Sequence, residues 1–86
     1  MPTIEVSETG AVTFEVVVRD RAETRHQVSV DPSYAERIAP GVEHAELVRR
    51  SFAFLLEREP NTSILSSFDL PVIARYFPEY ERLIGE

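Results

Sequence analysis

The sequence predicts an α+β fold: a three-stranded antiparallel β-meander, one long amphipathic helix across its apolar face, and short C-terminal helices. Three observations point to it. In residues 12–19, Val12, Phe14, Val16 and Val18 fall on one side, against Thr13, Glu15, Val17 and Arg19 on the other. A period of two in β-branched and aromatic residues is a strand signal. Residues 44–58 instead repeat apolar groups every three or four positions, the period of a helix with one buried stripe. Between the two patterns, Asp31-Pro32 and Ala39-Pro40-Gly41 fit the start and stop of a short helix.

Taken in order, Ile4 and Val6 flank Glu5 in a short first strand, and Ser7-Glu8-Thr9-Gly10 makes a turn. The second strand is the alternating run above. Asp20-Arg21-Ala22-Glu23 is polar enough for a hairpin loop, and Val28 and Val30 alternate with Gln27 and Ser29 in a third strand. Residues 1–30 therefore read as a meander with one apolar and one wet face.

Residues 31–58 read as helices. Asp31 can cap the first, with proline at its first position. The second runs from about His44 to Arg58. Leu47, Val48, Phe52, Leu55 and Leu56 form its stripe, widened by Ala45, Ser51 and Phe54. Glu46 and Arg50 stand four apart in the favourable order. Phe54 projects well away from Phe52, so this helix needs cover on a second side.

The tail, 61–84, can supply that cover. Ile64, Leu65, Phe68, Leu70, Val72, Ile73, Tyr76 and Phe77 are too many apolar groups for a free linker. Pro71 permits a helix opening at Asp69 or Leu70, with Ser66 and Asp69 at capping-box spacing, and Pro78 bends the chain into a second short helix. On this reading Phe77→Ala costs on the order of 3 kcal/mol, as a buried aromatic truncation does.

Eighty-six residues suit a single domain, 1–86, with 43% hydrophobic residues to build one core. Cysteine is absent, which removes disulfides, thiolate metal sites and thiol nucleophiles and fits a reducing compartment. No basic-then-apolar stretch opens the chain, and no apolar run is long enough to span a membrane, so a cytoplasmic location is expected. The net charge of −6 argues against general nucleic-acid affinity.

The chemistry of a catalytic or cofactor site is not visible. His26 and His44 lack a second ligand at metal spacing, and three glycines form no phosphate-cradling loop. The carboxylate pairs Glu57/Glu59 and Glu79/Glu81 are two apart and diverge on a helix. No catalytic residue, metal or cofactor is expected, and the chain reads as a non-enzyme.

Two clusters remain as candidates. Arg19, Arg21, Arg25 and His26 form the one basic island, either a solvated turn paired with Asp20 and Glu23 or a contact for an anion or acidic partner. Tyr76, Phe77 and Tyr80 surround Pro78, either packing on the long helix with the tyrosines at its rim or meeting a partner protein.

The stretches "RHQVSVDPSYAERI" and "HAELVRRSFAFLLERE", within residues 25–58, resemble the strand and second helix of ribbon-helix-helix DNA-binding regulators, which include many antitoxins. The resemblance implies a ribbon built from two chains and set in the major groove. Arg25, Gln27 and Ser29 would then face DNA, with the Ala45 backbone near phosphate. Against it stand the short first helix, the two strands before the supposed ribbon, the extra tail and the acidic charge. "FAFLLEREPNTSIL" and "FDLPVIARYFPEY" look like small uncharacterised bacterial proteins of similar length, which implies no activity. The expected function is a small accessory protein acting through protein–protein contacts, with another protein or a second copy of the chain as partner. The alternative is a diverged DNA-binding regulator or antitoxin.

Overall fold

The computed structural model describes residues 2–85. Strands β1 (Thr3–Glu8), β2 (Thr13–Arg19) and β3 (Glu23–Ser29) form the expected antiparallel meander. Helices α1 (Pro32–Ile38) and α2 (His44–Leu56) follow, then a 3₁₀ turn at Asn61–Ser63. The tail adds strand β4 (Ser67–Asp69), α3 (Val72–Tyr76) and α4 (Tyr80–Ile84). The sheet order is β1-β2-β3-β4, with β4 parallel to β3.

Register explains the two faces of the sheet. Cross-strand rows Ile4–Val18–Thr24, Val6–Val16–His26 and Glu8–Phe14–Val28–Phe68 lie toward α2. The alternate rows, including Glu5–Val17–Arg25 and Arg19–Glu23, lie on the open face. Phe14, Val16, Val18, Val28 and Val30 are buried as the alternation requires, whereas Val12, just before β2, is exposed. Val17 is buried on the otherwise polar face, in one row with Glu5 and Arg25.

Asp31 caps α1 by accepting from the Ser33 N–H at 2.9 Å, and Pro32 occupies the first position. The chain leaves α1 through Gly41, whose φ of 80° is a backbone conformation open to glycine. In α2, Leu47, Val48, Ser51, Phe52, Phe54 and Leu55 are buried. Phe52 turns to the sheet, 5.2 Å from the His26 ring and 6.0 Å from Phe68. Phe54 turns to the tail, edge-on to Phe77 at 6.0 Å and Tyr80 at 5.3 Å. The helix is thus covered on both sides, and Leu70, Ile73, Tyr80 and Ile84 of the tail belong to the same core as Phe14 and Val16. The Cα radius of gyration, 11.8 Å, is that of one compact unit of this length, for which about 12 Å is expected.

Two expectations for the tail are corrected. Residues 66–69 are not a helix start: the Ser66 carbonyl accepts from Gln27 N at 2.8 Å, and Ser67–Asp69 is a strand. Pairing with β3 satisfies this backbone beside a buried sheet edge, which a capping box there would not. The helix begins at Val72, behind Pro71. The bend at Phe77-Pro78 between α3 and α4 is as expected.

Candidate functional site

The basic island does not act as a cluster. His26 faces the core, 2% exposed. Its Nδ1–H donates to the Leu65 carbonyl at 2.7 Å, and its Nε2 accepts from the Thr24 hydroxyl at 2.9 Å. Asn61, also buried, donates to Thr24 Oγ1 and to the Ala22 carbonyl. His26 is therefore the clamp that fastens the 61–66 segment along the edge of β3, which corrects its assignment to a surface contact. Alternation along β3 separates it from Arg25 on the other face.

On that open face the arginines already have acids. Arg19 bonds Glu23 at 3.0 Å and also pairs with Glu5, while Arg25 lies 3.7 Å from Glu15 and 3.5 Å from Glu23. Arg21, exposed in the turn, has no ion pair among the described residues. Exposed pairs of this kind are individually weak, but together they place carboxylates beside the Arg19 and Arg25 guanidinium groups that an anion would seek. Arg25 and Gln27 do face solvent on this side. However, β3 lies between β2 and β4 and is overlaid by the 61–66 segment, so β3 itself offers no free edge for a second chain's ribbon strand. Ala45 is exposed in the first turn of α2.

The aromatic cluster divides. Tyr80 is fully buried, its hydroxyl 2.6 Å from Ser51 Oγ, which corrects its assignment to a partner surface. Its packing under Phe54 leaves no tip at the rim, and burial pushes its phenol up to about 12, with the Ser51 hydrogen bond acting in the opposite direction. Phe77 is half-buried, and Tyr76 is 67% exposed.

Tyr76 borders a groove of about 210 Å³ between the C-terminal end of α2, the strap after the 3₁₀ turn, β4 and α3. Leu55, Leu65, Phe68 and Phe77 supply apolar wall, and Glu59 and Ser63 are its polar side chains. Leu65, held in place by the bond from His26 to its carbonyl, is 48% exposed. Burial raises the Glu59 carboxyl above the usual carboxylate range. Composition alone does not reveal this groove, because it depends on where β4 and the strap lie. Among the described residues no three His, Asp or Glu side chains converge to hold a metal, and no helix is long and apolar enough to cross a membrane. Neither a protein-family model, nor a curated protein, nor a solved structure matches the chain.

Proposed function

We propose that the chain is a small non-catalytic accessory protein that works by protein–protein contact, and that the groove beside β4 is its contact site. The observation that carries this reading is where apolar surface is left open. Among the described residues three large hydrophobic side chains are exposed, Val12, Leu65 and Tyr76, and two of them border this one groove. Concentrated apolar surface with an amphipathic tyrosine at its rim favours a partner protein. The groove also adjoins a sheet edge, where backbone groups stand ready for another strand. One carboxylate and one serine among apolar walls do not bring together a nucleophile, a base and an orienting group.

Photo-crosslinking in the cells that express the protein tests this. With p-benzoylphenylalanine in place of Tyr76, a discrete protein adduct is expected that is absent when the same group replaces Ala11, exposed in the first hairpin turn. Equal labelling at both positions would sink the reading.

A further inference from the structure

We infer that the groove receives one arginine side chain presented by an extended segment of a partner protein, the guanidinium on Glu59 and the stem between Leu65 and Tyr76. The inference rests on the groove being a protein-contact site and adds the chemistry of its occupant.

Size is the first argument. At about 210 Å³ the groove is below the range of pockets that enclose drug-sized ligands and suits a single long side chain. Charge is the second. Glu46, Glu57, Glu79 and Glu81 each meet an arginine, whereas Glu59 has no ion pair among the described residues although burial disfavours its charge. A cation is the complement that offsets this. Guanidinium suits the site better than ammonium, being less strongly hydrated, planar, and able to stack on an aromatic ring while bonding a carboxylate. The molecule already builds that arrangement once: Arg58 lies 3.6 Å over the Phe54 ring and bonds Glu79 at 3.3 Å.

The backbone supplies the third argument. Gln27 N bonds the Ser66 carbonyl and Leu70 N bonds the Ser29 carbonyl, so the β3–β4 ladder uses alternate residues of β4. In a parallel ladder this turns the N–H and C=O groups of Ser67 and Asp69 outward. A short extended segment can pair there and send one side chain over Phe68 into the groove. The net charge of −6 favours the approach of a basic segment to the molecule as a whole.

The test is a ¹H–¹⁵N NMR titration of the whole chain with acetyl-Val-Arg-Val-amide, acetyl-Val-Gln-Val-amide and acetylarginine amide. The arginine tripeptide is expected to shift Leu65, Phe68 and Tyr76 and to bind about tenfold more tightly than the other two. In Glu59→Gln, with an otherwise unchanged spectrum, the arginine–glutamine difference should vanish. Equal affinity for the arginine and glutamine tripeptides overturns the cation inference and leaves the contact-site reading standing. Acetylarginine amide binding as tightly as the tripeptide overturns the extended protein segment in favour of a small cation. If no probe perturbs the groove, both the inference and the reading beneath it fall.

Discussion

Tyr80 joins the last helix to the long one by both of its chemistries. Its ring packs edge-on to Phe54, and its hydroxyl meets Ser51, whose own hydroxyl donates to the Leu47 carbonyl at 2.7 Å. Tyr80→Phe removes one buried hydrogen bond and should cost about 1 kcal/mol, while Tyr80→Ala should cost about 3–5 kcal/mol. Phe77 is only half-buried, so Phe77→Ala should cost clearly less than the 3 kcal/mol that its sequence context suggests. Urea denaturation of the three variants checks the order, and a Phe77→Ala loss equal to that of Tyr80→Ala would contradict it. His26→Leu is a second residue-scale prediction. It keeps an apolar neighbour for Phe52 but strips the Leu65 carbonyl of its donor and Thr24 of its acceptor. Stability should fall by about 1–3 kcal/mol, with the Leu65 backbone resonance moving most. An unmoved Leu65 resonance would show that the strap is held by something other than this clamp.

At the scale of elements, the first turn of α2 is fixed by Glu46, which accepts from Arg49 and Arg50 at once. Those hydrogen bonds, more than the bare charges, hold its carboxyl down at about 2. A lowered folded-state value means stability that is present above the ordinary glutamate range near pH 4.5 and is lost as pH falls toward 2. Wild type should therefore have a higher urea midpoint than Glu46→Gln at pH 6, and the two should converge by about pH 2. A constant difference across that window would assign the effect to helix propensity instead. The pair Glu46–Arg50 is legible from spacing, whereas the contribution of Arg49 depends on rotamers. The meander and α2 are legible for the same reason, since each has one periodicity and one buried stripe. Strand β4 is not: three residues are too few to show a period, and its partner β3 lies forty positions away. Parity along β3 does contain the signal for His26, which shares a face with Val28 and Val30, and grouping it with Arg25 by adjacency obscures that. The groove inherits the illegibility of β4, because Phe68 and the strap before it form one wall. Tail removal probes this element pair directly. A chain ending at Pro60 lacks β4 and the Tyr80 cover on Phe54, and should show no cooperative urea transition by circular dichroism. A sigmoidal transition at the wild-type midpoint would make the tail an accessory to the core.

For the molecule as a whole, the decisive feature is that α2 is shared. Its Phe52 face completes the sheet core with Phe14, Val16 and Val28, and its Phe54 face completes the tail core with Tyr80 and Phe77. Phe52 also touches Phe68, so even the sheet side of the helix includes a residue of the tail. Opening the tail would expose the Phe54 face of α2, strip Phe68 from Phe52, and leave the Gln27 amide and the Ser29 carbonyl without the partners they have at 2.8 and 3.0 Å. A cheap local opening is therefore not expected, although the meander is closed by short hairpins and the tail by contacts distant in sequence. Native-state hydrogen exchange measures this. The amides of Gln27 and Leu70, which cross the β3–β4 seam, should exchange with a free energy within about 1 kcal/mol of global unfolding, itself about 4–13 kcal/mol for a domain of this length. Exchange of these two amides well below the β2 and α2 amides would mean that the tail opens by itself. The groove would then be lost each time the tail opens, and its apparent affinity would scale with the fraction of molecules in which the tail is docked. Exchange at the global level means instead that the groove is a preformed surface, held by the same cooperativity that holds the core, and that a partner meets Tyr76 and Leu65 already in place.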